Sequence, residues 1–256
     1  MPTWDPQQYL KFARERTRPS QELLSRVTIE VPHRVIDLGC GPGNSTTLLH
    51  KRWPKADIVG LDNSKDMLAK AAKDHPFWNW VEADLNTWTA EKPYDVVFSN
   101  AVFHWLPNHA ECFPRLIQQV APGGVLAIQM PNIRNSAAHR IITEAAEAPD
   151  WRARLSKAAQ SLFIETPANY YDYFQPFAQN IDIWETEYQH VMPDAQAILE
   201  WIKGTGMRPF LDALASDEDR TKFEEHCLRG FVEAYPLRKG GSILFPYRRM
   251  FMVVSR

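Results

Sequence analysis

Cysteine is scarce in this chain: Cys40, Cys112 and Cys227 are widely spaced and odd in number. Neither a disulfide framework nor the paired spacing of a zinc site can be drawn from them, and a reducing cytoplasmic setting fits. Long apolar runs are missing as well. None approaches the roughly 20 residues of a membrane-spanning helix, so no membrane partner is expected. The opening residues Met1-Pro2-Thr3-Trp4-Asp5 carry no signal-peptide pattern. Basic excess is absent too: 29 Lys and Arg stand against 31 Asp and Glu. That balance argues against nucleic acid as a partner and favours a small diffusing molecule. There is no internal repeat and no low-complexity tract. What is present is a hydrophobic fraction of 45% over 256 residues, enough for a full core in one domain or one domain with a cap. The nine tryptophans read first as core filling.

The most informative stretch runs from Val35 to Ser45, with glycines at 39, 41 and 43. It reads as a buried strand, a glycine turn and the first turn of a helix. Glycine lets the backbone bend sharply and lets a ligand come close without Cβ atoms in the way. Asn44 or Ser45 is expected to cap the helix, whose amides then face the bound molecule. Asp37, at the end of the strand, places a carboxylate where a ligand ammonium could use it. Together these features point to a small, charged nucleoside cofactor.

From residue 33 to 130 the pattern alternates. Strands are expected near 34–38, 57–61, 78–82, 94–99 and 124–130, and helices near 44–52, 64–73 and 108–120. Such alternation implies an α/β, doubly wound, mostly parallel sheet with right-handed crossovers. Pro122-Gly123-Gly124 is read as the break that opens the fifth strand. Two short helices precede the sheet, one over 6–16 and one starting near Pro19-Ser20. Beyond Pro131, helices are expected near 136–147, 195–203, 207–214 and 217–234, with strands over 181–191 and 243–254. The economical architecture is a seven-stranded sheet whose last two strands finish an antiparallel edge. Residues 1–30 then form a helical lid segment, 31–131 the cofactor-binding core, and 132–256 a helical cap interleaved with the last two strands.

In open α/β sheets, ligands sit at the C-terminal ends of the strands, at the switch point. Each strand end here offers a candidate. After strand two, Asp62 could accept from both ribose hydroxyls. Asn63 follows, Ser64 is expected to cap the next helix, and Met67 can lie against a flat base. After strand three, Asp84 can accept from an exocyclic amine, and after strand four come Asn100 and Ala101. An Asp behind a strand is, taken alone, more often a turn or cap residue; four such features in order are hard to obtain by chance. A nicotinamide dehydrogenase would place its third glycine three residues after the second, whereas Gly43 follows Gly41 by two. Asp37 would also repel a pyrophosphate but suit an ammonium.

In these features the chain resembles the class I S-adenosylmethionine-dependent methyltransferases, whose loop has the form acidic-Leu-Gly-x-Gly-x-Gly, matched from Asp37 to Gly43. The resemblance implies a Rossmann-like fold with a seven-stranded sheet. It implies S-adenosylmethionine as cofactor, with S-adenosylhomocysteine as product. Cofactor contacts carried over by position are Arg18, Asp37, Gly39, Cys40, Gly41, Asn44, Ser45, Asp62, Asn63, Ser64, Met67, Ala83, Asp84, Leu85, Asn100 and Ala101.

The end of strand four lacks the Pro-Pro-aromatic sequence of enzymes that methylate base amino groups. Further likeness is to the trans-aconitate-methylating members of the family. It is carried by Trp4-Asp5-Pro6, Tyr9 and Phe12, by Glu15-Arg16 with Arg18-Pro19, and by Trp105-Leu106-Pro107. It continues through Gln129-Met130-Pro131, Trp201, Thr205-Gly206 with Arg208-Pro209, and Arg249 with Phe251. The sequence departs from that pattern at His104, where relatives carry Gln, and over 132–138. The resemblance implies esterification of one carboxylate of a small tricarboxylic acid. An ionised carboxylate needs no general base, so the protein has only to align nucleophile and methyl and exclude water. A buried polyanion needs cations, and Arg forks pair bidentately with carboxylates. Arg208, Arg249 and Arg248 are the expected substrate partners, with His104 and Trp105 lining the floor. Strand alternation sends Arg248 and Arg249 to opposite faces. Tyr170, Tyr171 and His139 read as packing rather than ligands. The rival reading is a class I enzyme acting on another small O, C or N acceptor; a non-catalytic cofactor-binding module ranks last.

Overall fold

Three buried, mostly apolar runs set the centre of the molecule: Val35 to Leu38, interrupted by Asp37, Val96 to Phe98, and Val125 to Met130, interrupted by Gln129. Runs buried at every position belong to strands covered on both faces, the condition of a parallel sheet. In the computed structural model, which describes residues 13–256, they lie on β1 (Arg34–Leu38), β4 (Tyr94–Asn100) and β5 (Val120–Pro131). With β2 (Asp57–Asp62), β3 (Asn79–Glu82), β6 (Asn180–Met192) and β7 (Ile243–Ser255) they form one seven-stranded sheet of order β3-β2-β1-β4-β5-β7-β6. Strands β1 to β5 pair in parallel. The order reverses between β1 and β4, which puts the switch point beside the glycine loop. Strand β7 runs against β5, since Gly123 N donates to Arg256 O while Asn132 N donates to Arg248 O. The mixed, doubly wound sheet expected from the sequence is therefore present.

The helices are α1 (Ala13–Ser25), α2 (Asn44–Arg52), α3 (Lys65–Asp74), α4 (His109–Ile117), α5 (Ala137–Glu147), α6 (Arg152–Leu155), α7 (Pro167–Phe174), α8 (Ala195–Lys203), α9 (Arg208–Ala213) and α10 (Asp217–Ala234). Several start where a side chain takes an orphan amide. Ser136 accepts from His139 N, Asp194 from Ala197 N and Ser216 from Asp219 N. In α10 the first turn also carries Asp217, Glu218 and Asp219, the sign that the helix dipole favours.

By contacts the chain divides into two compact units. One holds Arg16–Pro131, Glu165–Glu185 and Met250–Arg256, and includes β1 to β5. Its core contains Phe98, Phe103, Phe113, Tyr170 and Phe174, all with no exposure. The other unit takes in Asn132–Ile164 and Thr186–Arg249, with a core of its own built on Trp201, Phe210, Phe223, Phe231 and Phe245.

Some expectations need correction. The first predicted helix, over 6–16, lies largely outside the described residues, as do Trp4, Tyr9 and Phe12. The second does not begin at Pro19: α1 passes through it. The missing proline N–H removes one bond from that turn without ending the helix. Strand β5 starts four residues earlier than expected, at Val120. Tyr94 faces Val120 but Val96 faces Val125, so the pairing is broken by an irregularity in which Gly123 takes φ +78°. The Pro-Gly-Gly signal marks a bulge in a strand, not its beginning. Helices α6 and α7 were not expected.

Candidate active site

Asp37 reaches the C-terminal end of β1 fully buried. Its Oδ2 accepts from Ser45 Oγ at 2.7 Å and Thr46 Oγ1 at 2.6 Å. Its Oδ1 is buried with no partner among the described residues. Burial pushes the Asp37 pKa up to about 6; the two hydroxyls pull it down and the Asp62 charge adds to the rise.

Because Ser45 and Thr46 turn back to Asp37, the expected cap on α2 does not form. The N-cap is Gly43 at φ 90°, with no side chain on the helix amides. Asn44 and Ser45 are the first helical residues, one position too late to cap. An N-cap glycine offers the first helix amides no side-chain oxygen, which suits an anionic or polar ligand group there.

The three glycines serve different ends. A Cβ on Gly39 would lie 2.2 Å from Val102 Cγ2, and one on Gly43 would lie 2.8 Å from Trp80 Cη2. Both positions are closed by protein. Gly41, at φ +53°, has nothing within 4 Å of a Cβ among the described residues, which leave open space there and not at the other two glycines. The indole of Trp80 also covers Gly60, whose Cβ would meet it at 2.4 Å.

Asp62 fastens the loop to the next helix. Gly41 N donates to its Oδ2 at 2.8 Å, and Ser64 N to its Oδ1 at 2.9 Å. A carboxylate oxygen accepts more than once, so both retain capacity. Ser64 caps α3, accepting from Met67 N at 3.4 Å, as expected. Asn63 is exposed and Met67 half-buried. Ala83 N donates to Asp62 O at 3.1 Å, Leu85 is buried, and Asp84 is exposed. Asp84 Oδ1 takes both the backbone and side-chain N–H of Asn86 at 2.9 Å, the turn role that such an Asp commonly has. Cys40 is buried, and burial, then Asp37 and Asp62, raise its thiol pKa well above the usual range, so it remains a thiol. Arg18 is exposed and bonds Glu22 at 2.8 Å.

Asn100 ends β4 beside this loop: Leu38 and Ser99 are register partners, so Asn100 follows next to Gly39. Its Oδ1 is buried with no partner among the described residues. Ala101 takes φ 60° with its N–H on Gln129 O at 2.8 Å. A single 3-10 turn, Phe103–Trp105, follows. In it His104 is buried and Trp105 is 37% exposed, their rings 4.5 Å apart.

The remaining candidates lie on the second unit. Arg249 is buried and sits 5.0 Å over the Tyr247 ring. Arg248 takes the opposite face, as alternation requires, and pairs with Glu187 at 3.3 Å. Arg208 opens α9, 3.7 Å from Asp212. His139 is half-buried; burial, then Arg134, lowers its pKa. Tyr170 belongs to the first unit and is wholly buried, while Tyr171 is half exposed.

Sequence reading missed the part played by Thr46, which shares Asp37 with Ser45, and the cover that Trp80 and Val102 place over the glycines. Thr46 was legible in principle, since a hydroxyl at the third helical position can reach back to the strand. Nothing local announces Trp80 or Val102.

The donor set fits S-adenosylmethionine. Asp37 Oδ1 and Asn100 Oδ1 are buried acceptors at adjoining strand ends, and an ammonium brings three donors. Asp62 retains lone pairs for ribose hydroxyls, and Gly41 leaves space above the loop. Among the described residues no cluster of His, Cys, Asp and Glu could hold a metal, and no helix is long and apolar enough to cross a membrane. The three cysteines are all free thiols.

Residues 35–124 match the family model of a methyltransferase domain. Among solved structures, Haemonchus contortus phosphoethanolamine N-methyltransferase 2 in complex with S-adenosyl-L-methionine is similar at a TM-score of 0.57 and 15% identity, over 93% of this chain and 52% of that one. The YcgJ protein from Bacillus subtilis is similar at 0.58 and 12%, over 93% and 98%. At such identities the likeness concerns the fold alone. Fold, loop and domain match together define an S-adenosylmethionine-dependent methyltransferase. Full-length relatives narrow this further. Trans-aconitate 2-methyltransferase of Azoarcus sp. (strain BH72) is 48% identical over 256 residues, covering 100% of both chains. The proteins of that name from Rhodopseudomonas palustris (strain BisA53) and Yersinia pestis (strain Pestoides F) are 44% and 43% identical, over 100% and 99% of this chain and 100% and 98% of theirs. The chain belongs to the trans-aconitate 2-methyltransferase family.

Proposed function

We propose that this enzyme forms a monomethyl ester of trans-aconitate, or of a closely related small tricarboxylate, at the expense of S-adenosylmethionine. The observation that carries the reading is the full-length likeness to relatives of that name, which extends through Asn132–Ile164 and Thr186–Arg249 as well as the cofactor core. Cofactor motifs alone are shared by enzymes of many substrates. Bound S-adenosylmethionine supplies an electrophilic methyl on sulfonium. Asp37 and Asn100 hold the ammonium, Asp62 the ribose hydroxyls, Met67 and Asp84 the base. Ser45 and Thr46 keep Asp37 aimed. The Asn100–Trp105 segment, with His104 and Trp105, forms the floor under the methyl, and no side chain need act as a base.

The carboxylates that are not methylated pair with guanidinium groups, Arg249 first and Arg208 second. Arg249 is buried on a ring face, the setting in which a cation is worth most to an anion. Arg248, half exposed and paired with Glu187, contributes less. Residues 31–131 carry the cofactor and 132–256 the substrate cations. Free thiols at Cys40, Cys112 and Cys227 support a cytoplasmic location.

The test is to incubate the protein with methyl-labelled S-adenosylmethionine and a panel of di- and tricarboxylates, phenols and amines. A base-labile methyl ester of trans-aconitate is expected. Arg249→Ala should lower kcat/KM for it by about 2–5 kcal/mol while cofactor affinity holds. Transfer to a phenol or amine in preference to every carboxylate would sink the proposal.

A further inference from the structure

The turn that follows β4 is held from outside by one buried histidine. Within the turn, Trp105 N donates to Val102 O at 3.0 Å and Leu106 N to Phe103 O at 2.9 Å. Phe103 O receives a second bond, from His109 Nε2 at 2.9 Å. A carbonyl only accepts, so Nε2 carries the proton and Nδ1 of the neutral ring is an acceptor. Facing Nδ1 at 2.9 Å is the hydroxyl of Tyr170, 61 residues away in sequence. The Tyr170 oxygen in turn accepts from Glu165 N at 3.0 Å, and its own proton has two acceptors in reach, His109 Nδ1 at 2.9 Å and the weakly accepting Met130 Sδ at 3.8 Å, of which the closer and stronger nitrogen takes it. The relay has a fixed direction: Glu165 N–H to Tyr170 O, Tyr170 O–H to His109 Nδ1, His109 Nε2–H to Phe103 O.

His109 and Tyr170 are 3% and 0% exposed, and Phe113 packs on both rings at 4.8 and 5.0 Å. Burial lowers the His109 pKa, which keeps the ring in the neutral form that the relay requires. The turn needs such a hold. It is only three residues long and begins two residues after Ala101 at φ 60°, a conformation costly to a residue with a Cβ. Two intraturn bonds alone are marginal for a 3-10 segment of this length.

We propose that His109 is a positioning residue for methyl transfer: through Phe103 O it fixes the Asn100–Trp105 segment, with Tyr170 selecting the histidine tautomer that can do so. The inference rests on the reading of that segment as the floor of the reacting centre. A misplacement of about 1 Å there is enough to cost roughly 100-fold in rate.

The test compares His109→Gln, whose amide N–H can reach the place of Nε2, with His109→Asn, whose amide reaches only the place of Nδ1, and with Tyr170→Phe, which preserves the packing. Two quantities are read: amide hydrogen exchange at 105 and 106, and kcat with KM for trans-aconitate. His109→Asn is expected to speed exchange at these amides at least 10-fold and to lower kcat at least 10-fold, with S-adenosylhomocysteine affinity within 2-fold of wild type. His109→Gln should recover most of both losses, and Tyr170→Phe should fall between. Failure of His109→Gln to recover anything, or a wild-type kcat in His109→Asn, would overturn the proposal. Faster exchange with unchanged kcat would overturn it too, since the turn would then be held but not at the reacting centre. If wild type esterifies no carboxylate, the functional reading fails by itself and the exchange comparison still decides whether His109 holds the turn. Should His109→Asn not fold, Tyr170→Phe carries both readouts.

Discussion

Asp37 shows how a single residue sets stability against binding. Burying its carboxylate with one oxygen unpartnered raises its pKa from 3.8 to about 6. The folded protein therefore holds this proton more tightly than the unfolded chain. The stability that the protonated group contributes is complete below about pH 4 and is lost as pH rises through 6. At neutral pH the ionised group costs about 3 kcal/mol relative to an ordinary aspartate. A bound ammonium reverses that cost. Asp37→Asn is thus expected to stabilise the cofactor-free protein at pH 7.5, measured by urea unfolding, and to lose that advantage near pH 4. The same variant should weaken binding of S-adenosylhomocysteine by at least 10-fold. A less stable variant at pH 7.5 would contradict the account. Asp37 was legible as a ligand for an ammonium from its place at a strand end; of its clamp, the Thr46 half was legible in principle, while Ser45 looked equally good locally as a cap.

At the scale of elements, the glycine loop separates packing from binding. Gly39 and Gly43 are closed by Val102 and Trp80, whereas no described residue lies within 4 Å of a Cβ on Gly41. Gly41→Ala should therefore cost only about 1–2 kcal/mol of stability, the penalty for a Cβ in the left-handed region, yet largely abolish cofactor binding by calorimetry. Gly39→Ala should be the more destabilising, since its Cβ would lie 2.2 Å from the half-buried Val102 side chain. Equal loss of stability in the two would argue that all three glycines serve packing. The elements themselves were largely readable. The central strands β1 and β4 carry the apolar pair Val35-Ile36 and the apolar triplet Val96-Val97-Phe98, and α5, α8 and α10 carry Ser or Asp caps at their starts. What was not readable depends on distant partners. Helix α7 places Tyr170 on His109, and no local signal marks that pairing. The Pro-Gly-Gly of β5 looked like a strand start because a bulge and a turn use the same residues.

For the whole molecule, the physical question is how a chain of net charge −2 accommodates a trianion. On the proposed function, the buried guanidinium of Arg249 takes substrate charge while Asp37 takes the cofactor ammonium. The class of chemistry was visible in the order of strand-end acids, and the substrate branch in residues of the second unit such as Thr205, Arg208 and Arg249. The neighbours of each arginine were not: Asp212 beside Arg208 and Tyr247 beneath Arg249 emerge only in the structure. The most direct measurement is kcat/KM, at fixed pH and ionic strength, across acceptors of one carbon frame bearing three, two and one carboxylates. A fall of at least 10-fold for each carboxylate removed is expected, with cofactor affinity unchanged. Equal or better transfer to the monocarboxylate would contradict the claim that paired charge selects the substrate.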